Sequence, residues 1–472
     1  MKKYIYLIPI FIIFTTNAQQ IQWASKLIKF SSDLGGKQNG IKRILGKPDA
    51  FPQGGSSANA WSPKNALDGR EVVVVGFEKP QTVKQIAVFE NLNAGCVNRM
   101  FVSTNGEKFE TVWSRKPDYK TPRYKTTLNT DKAYYFKRKR RKVQEVPDVF
   151  NPGIEYAILE NGISGVVAVK VEFSFALLPG QKQIDAIGIS DSDIPIEAKI
   201  NSSPEFENLS KPESLVLNAI EPSAPIVTID GNKIYFTNNT SEKEEIFSCS
   251  KNNNKWSTPV LESELSKNSN YNYLEFSNNE FILQGGMPYN RGTNESGFCI
   301  LKNNNGNFEN LGQLKIAAFN NYDQSVDASM TSDLKTMILS IETDFTQGGT
   351  DLYFTNKKED ETYGLLQNMG KSINSANDES TPQLLSDNKT MLFASNGFSG
   401  FGDYDLYVSY RLDDSWKNWS EPINLGSKIN GLEFEGSPYY DEKNETLYFI
   451  KVIEGKSILS FIAIPKSILM KV

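Results

Sequence analysis

The chain has 472 residues, with 51 Lys and Arg against 56 Asp and Glu and a formal net charge of −5. That balance excludes a basic, phosphate-neutralising surface over the chain as a whole, so no nucleic-acid partner is expected. The absence of histidine removes Ser-His-Asp and Cys-His nucleophiles, imidazole acid-base chemistry and every histidine-bearing zinc site.

Two or three domains are predicted from the length. The three cysteines, Cys96, Cys249 and Cys299, are odd in number and widely spaced, which indicates neither a zinc knuckle nor a disulfide framework. Buried thiols are expected, with a single Cys249–Cys299 bridge as the alternative in an oxidising compartment. No metal or cofactor motif is present.

Residues 1–18 read as a secretory signal peptide. Lys2 and Lys3 precede a short apolar run from Tyr4 to Phe14, and Thr16-Asn17-Ala18 supplies small residues for cleavage. No cysteine stands at that junction, so no lipid anchor is expected. No later stretch is long and apolar enough for a transmembrane segment. The chain is therefore expected to be exported, and periplasmic, outer-membrane-associated or secreted.

Residues 19–193 form the first predicted domain. Short runs rich in β-branched residues, such as Glu71 to Phe77, Val83 to Phe89, Arg99 to Ser103, Phe109 to Trp113 and Val166 to Phe173, are punctuated by Asn105-Gly106 and Pro179-Gly180. Such spacing with little helical periodicity predicts a β-sandwich. Asn65-Ala-Leu-Asp-Gly69, Ser103-Thr-Asn-Gly-Glu-Lys-Phe109 and Gln183-Ile-Asp-Ala-Ile-Gly-Ile189 resemble the discoidin or galactose-binding-like jelly roll. The resemblance implies a binding module, often for glycans, whose ligand sits on loops at one end.

The loop candidates run from Phe51 to Trp61 and from Asn91 to Gly95, with Trp61, Asn91 and Asn93 as binding residues. An aromatic face beside amides suits a sugar ring. The competing reading makes Trp61 a plug for the end of the sandwich. Lys137-Arg138-Lys139-Arg140-Arg141-Lys142 is a run of six cations, expected to be exposed and either to meet an anionic polysaccharide or lipid head group or to keep an edge from pairing.

Residues 194–213 turn polar and proline-bearing, as a linker does. Residues 214–472 then repeat one unit. Its second strand recurs as Ile234 to Thr237, Phe281 to Gln284, Met337 to Ser340, Met391 to Ala394 and Leu447 to Ile450. Each copy follows a turn: Asp230-Gly231, Asn278-Asn279, Ser332-Asp333, Ser386-Asp387 and Asp441-Glu442. A third strand recurs as Glu245 to Ser248, Gly297 to Ile300, Asp351 to Phe354, Asp405 to Val408 and Ile458 to Phe461, and the link Met369-Gly-Lys-Ser-Ile-Asn374 returns as Leu425-Gly-Ser-Lys-Ile-Asn430.

Agreement in strand, turn and link together predicts a propeller, and these residues resemble the PD40 class of WD40-like repeats, related to the propeller of TolB. The fold expected is all-β: a jelly-roll sandwich, then a propeller of five blades, or six with a degenerate one. Ser214 to Leu217 is expected to close the ring beside the last blade. Similar propellers occur in envelope proteins, which implies a non-enzymatic binding or scaffold protein with glycan or protein partners.

Two sets of residues follow from the blade geometry. Acids entering first strands, Glu221, Asp323, Asp378, Glu379 and Glu435, are placed at one channel mouth. Tyr289, Arg291, Phe345, Phe398, Phe401 and Tyr404, in loops between second and third strands, are placed on the same face as a ligand-binding surface. The alternative for these rings is packing on the neighbouring blade. The second functional reading is a carbohydrate-active enzyme, with carboxylates of the propeller as catalysts and the sandwich as a binding module.

Overall fold

The computed structural model describes residues 19–124 and 152–470, apart from 216, 218–219, 240–242, 254, 269–270, 279, 305–306 and 324–325. Residues 1–18, expected to be a signal peptide, and the basic run 137–142 lie outside the described residues.

The N-terminal domain is built on two long antiparallel strands, Arg70–Glu90 and Gly153–Ser174, paired from Arg70↔Ser174 to Glu90↔Gly153. Pairing lapses between Gly76 and Gln81 and shifts again before Gln85. Pro80 lies in that lapse, where its missing N–H removes no ladder bond. The two halves of the hairpin belong to one seven-stranded sheet. They share one core: Val73, Val75, Val169 and Val171 from one half cluster with Ile86, Val88 and Ala157 from the other, and with Ile187 and Ile189 of the neighbouring strand Ala186–Ser190. The opposite side of Ala87 and Phe89 is covered by Phe51, Ile196 and Ala198.

The C-terminal domain is a five-bladed propeller of antiparallel sheets. The first strands of blades one to five are Pro222–Val227, Tyr273–Ser277, Asp327–Met330, Glu379–Leu384 and Glu435–Asp441. Every second and third strand expected from the repeat is present, and no sixth blade occurs among the described residues.

One device shapes all five turns between first and second strands. The side chains of Asp230, Asn278, Asp333, Asp387 and Asp441 each accept the backbone N–H two residues on, at 2.9–3.1 Å. Such a side chain replaces a backbone acceptor in a tight turn. The repeated link has a matching purpose. Asn374 brackets Leu352, accepting its N–H at 2.8 Å and donating to its C=O at 2.9 Å; Asn430 does the same to Leu406 at 2.8 and 3.0 Å.

The ring closes as the sequence predicts. Glu213–Ser214 pairs with Lys456–Ala463, the third strand of blade five, and the Leu215 N–H donates to the Leu459 C=O at 2.8 Å. Closure covers two sheet edges that would otherwise be open to other chains.

The stretch 194–213 is packed along much of its length. Ile196 and Ala198 are buried on the N-terminal domain, Asn201 accepts the Asn424 N–H at 2.7 Å, and Phe206, on the short helix Pro204–Glu207, is buried against Leu385, Leu392 and Leu406. It straps the domains together. Cys249 and Cys299 are buried free thiols in separate apolar clusters, so the alternative disulfide is not formed.

Candidate functional site

First strands line the propeller channel, and in four of the five blades the ladder slips there. Register shifts fall at Ala224, Glu275, Thr381 and Ser437, and Ala224, Thr381 and Ser437 hold positive φ of 43°, 47° and 47°. A bulge frees backbone groups from the ladder and re-aims side chains.

The freed groups link blade to blade. The Ser437 N–H donates to Thr381 Oγ1 at 3.1 Å, the Thr381 N–H to Asp327 Oδ2 at 3.1 Å, and the Ala328 N–H to Glu275 Oε2 at 3.0 Å. This chain of bonds runs from blade five to blade two. At the corresponding place blade one carries Ala224, whose methyl group offers no acceptor.

A cavity of about 670 Å³ opens beside that interruption, lined by Ala224, Glu275, Ser437 and the loop-face residues of blades one to three. Tyr271, Tyr273 and Tyr289 supply its aromatic surface, and Glu244, Glu275, Asp323 and Asp327 its carboxyl groups. A smaller cavity of about 330 Å³ shares Asp323 and Asp327 and continues to Asp378 and Tyr404. Glu275 also lines a third cavity, of about 380 Å³, on the face that carries the turns. It therefore stands between the two mouths of the channel.

Burial sets the protonation of this group. Desolvation, and then the charge of Asp327, push the Glu275 carboxyl well above the ordinary range. Asp327 is pushed up to about 6, chiefly by burial and secondarily by Asp323, against the opposing hydrogen bond from Thr381. Burial also raises Glu244. Carboxyl groups crowded in a low-dielectric cavity are held partly protonated, so they can donate as well as accept. Glu275 escapes sequence reading because a bulge breaks the period-2 alternation that marks an inward position, whereas Asp327, at the head of a regular strand, and Glu244, just before one, have nothing local to set them apart from other strand-flanking acids.

The acids expected at the channel mouth divide. Asp323 and Asp378 line the cavities, with Asp378 accepting from the Tyr404 hydroxyl at 2.9 Å and the Thr350 N–H at 2.9 Å. Glu221 is exposed and outside them. Glu379 and Glu435 do not belong to the mouth, because both are buried loop pins. Each accepts the N–H four residues upstream, from Ser375 at 2.9 Å and Gly431 at 2.7 Å, and Glu435 is also paired with Lys451 at 2.9 Å.

The aromatic set divides as well. Tyr289 lines the large cavity, its ring edge-on to Phe319 at 5.0 Å. Arg291 lies over the Tyr322 ring at 5.8 Å, and Phe345 is 76% exposed. Phe398 packs on Phe393 and Tyr407 inside blade four, and the Tyr404 ring packs on Phe434 at 5.3 Å. The Phe401 N–H donates to Asp405 Oδ2, which folds that loop back on its own blade. Phe398 is therefore removed from a shared ligand surface.

The N-terminal domain occupies the loop face there. Lys37 donates to the carbonyls of Asp344 and Thr346, Gln38 to Ala376, Gln53 to Gly402 and Asn59 to Gly397. In return, the Ala376 N–H donates to Asn59 Oδ1 at 2.8 Å and the Ser399 hydroxyl to the Phe51 C=O. The stretch from Phe51 to Trp61, expected to hold ligand, docks the propeller instead. Trp61 is fully buried against Phe173 and Phe175, so it is the plug and has no face to offer a sugar. Asn91 is buried and donates to Gly55 O and Gln183 Oε1, and Asn93, at φ 51°, donates to Gln181 O. These amides fix loop shape.

No protein-family model matches the chain, and no curated protein does. Among solved structures, TolB from Acinetobacter baumannii aligns at 10% identity over 52% of this chain and 55% of that chain, with a TM-score of 0.32. The endo-arabinase from Bacteroides thetaiotaomicron VPI-5482 aligns at 14% identity over 53% of this chain and 98% of that one, with a TM-score of 0.35. For the putative TolB from Agrobacterium tumefaciens the values are 12% identity, 81%, 99% and 0.29. The alignment thus spans about half of the Acinetobacter protein. The architecture rests on the strand pairing itself: the chain is all-β and carries a five-bladed propeller.

Proposed function

We propose that this is an exported, non-enzymatic cell-envelope protein that binds a glycan at the channel mouth over blades one to three. The observation that carries the reading is the cavity of about 670 Å³ in which three tyrosines stand beside buried carboxyl groups. Flat rings offer stacking area to a pyranose, and a carboxyl can accept from its hydroxyls when ionised and donate to them when protonated. The N-terminal domain, read as a discoidin-like module, serves in this proposal as a brace rather than as the primary binding end, because its loops are taken up by the propeller. Export rests on residues 1–18. No helix among the described residues is long and apolar enough to cross a membrane.

A carbohydrate-active enzyme is the second reading, favoured by the unequal upward shifts of Glu275 and Asp327. Groups whose environments push their pKa values apart are what acid and base catalysis needs. Calorimetric titration with soluble envelope glycans, alongside an assay for released reducing ends, separates the two. Saturable binding without turnover is expected. Sustained turnover that vanishes in Glu275→Gln or Asp327→Asn overturns the binding-protein reading.

A further inference from the structure

We infer that the ligand of the channel cavity carries a free ammonium group, as a glucosamine-type sugar does, rather than an acetylated or acidic sugar. The inference rests on the glycan reading above and narrows it. Glu244, Glu275, Asp323 and Asp327 are the charged groups of the large cavity, and Asp323, Asp327 and Asp378 those of the adjoining one; neither has a Lys or Arg among its described lining residues. Uronates and phosphates are repelled by such a lining. A neutral sugar can use it, but leaves the repulsion between neighbouring carboxyls in place.

An ammonium group changes that balance. Glu275 and Asp327 come from adjacent blades, the charge of Asp327 acts on Glu275, and each already holds one backbone N–H from the next blade. A cation between them restores the ionised form that burial and repulsion disfavour. The tyrosines supply the second half of the recognition, because Tyr271 is 47% exposed and Tyr289 walls the same cavity, so a ring can stack while its amine reaches inward. The interruption at Ala224 provides the opening through which the amine reaches Glu275.

The pH dependence has a definite sign. On the ligand side the groups facing Glu275 and Asp327 are Glu244, Asp323, Tyr273 and Tyr289; on the opposite side Glu275 shares the third cavity with Asp441, Glu442, Lys443 and Lys466, and neither lysine is among the groups that shift it. While Asp327 or Glu275 is protonated the ligand must displace protons from the site, so affinity rises with pH, through about 6 for Asp327 and higher for Glu275, until the ligand's own amine loses its proton.

The test uses the full chain in calorimetric titrations with three probes: a chitosan tetrasaccharide, its fully N-acetylated counterpart, and spermidine. The free-amine sugar is expected to bind at least about tenfold tighter than the acetylated one, and tighter at about pH 7 than at about pH 5. Glu275→Gln and Asp327→Asn are each expected to weaken it by about tenfold or more. Both variants keep an oxygen to accept the Ala328 or Thr381 N–H, and an unchanged unfolding midpoint confirms that the ring is intact. Tyr271→Ala, at a half-exposed position, is expected to weaken the sugar but not spermidine. Equal or tighter binding of the acetylated sugar overturns the inference and leaves the glycan reading standing. Spermidine binding as tightly as the sugar, unaffected by Tyr271→Ala, overturns the glycan reading too. Failure of both oligosaccharides to bind the unaltered chain overturns both.

Discussion

Replacing Asn59 by Ala should separate the two domains. Asn59 is 2% exposed and makes two bonds across the seam, donating to the Gly397 C=O and accepting the Ala376 N–H at 2.8 Å. Alanine leaves both backbone groups buried without those partners. Each loss costs about 1–3 kcal/mol, so docking is expected to weaken by roughly 2–6 kcal/mol. The Lys47–Glu421 ion pair crosses the same seam at 2.8 Å, but its side chains are more than half exposed, so water and salt screen it. Such pairs contribute about 0–1 kcal/mol, and Lys47→Ala is the internal control. Calorimetric unfolding is expected to split into two transitions for Asn59→Ala, with an expanded radius of gyration in solution scattering, and to stay unchanged for Lys47→Ala. A single transition and an unaltered scattering profile for Asn59→Ala, or an equal loss for Lys47→Ala, would refute the claim that paired buried amides hold the seam.

Three further outcomes are expected. Phe206→Ala removes a buried ring from the strap and should cost about 3–5 kcal/mol in denaturant unfolding, whereas an effect under about 1 kcal/mol would show the strap to be loosely seated. Phe345→Ala should change stability by less than about 0.5 kcal/mol, while Phe398→Ala, which removes contacts with Phe393 and Tyr407, should cost several times more; equal effects would contradict their different placement. Asp405 is buried and pushed up to about 7 by desolvation, against hydrogen bonds from the Phe401 N–H and the Asn424 side chain. The native form therefore binds more protons than the unfolded chain between about pH 4 and 7, so this contribution is full below about pH 4 and is lost as pH rises through 7. Asp405→Asn should flatten that part of the stability curve, by an amount of order 2–4 kcal/mol, and an unchanged slope in urea midpoints at pH 5 and 8 would show the carboxyl to be ordinary.

The propeller was legible because its devices are local. An Asp or Asn at each hairpin turn, an Asn closing each full link, and β-branched or aromatic second strands all act within a few residues of themselves. Domain docking was not legible for the opposite reason. Its bonds run from Lys37, Gln53 and Asn59 to backbone carbonyls hundreds of residues away, and a carbonyl carries no sequence signature. The same physics misplaced part of the candidate site. Gly-aromatic loops such as 396–404 look like a ligand surface, yet glycine lets the chain fold back so closely that Phe398 reaches its own blade. At Gly397 an added Cβ would lie 1.8 Å from Ser375 Oγ, and at Gly400 2.1 Å from Asp405 Oδ2. These glycines are spaces for close packing rather than hinges for a partner.

Carboxyl groups show why composition could propose the channel but not draw it. At the third residue before a second strand they cap a turn, as Asp333 does for Lys335. At the head of a first strand they pin the preceding loop, as Glu379 and Glu435 do. Glu275, inside its strand, and Asp327, at the head of its own, line the cavity instead, while blades one, four and five carry Ala224, Thr381 and Ser437 at their bulges. The five-fold ring is thus chemically one-sided: first strands of blades two and three bring Glu275 and Asp327, and blade one adds Glu244 from a loop while its first strand leaves the space at Ala224. The N-terminal domain lies over loops of blades three and four, away from that space. Its docking therefore stiffens the far side of the ring while leaving the carboxyl-lined mouth open, which is why loosening the seam at Asn59 should alter stability far more than it alters affinity for a sugar held at Glu275.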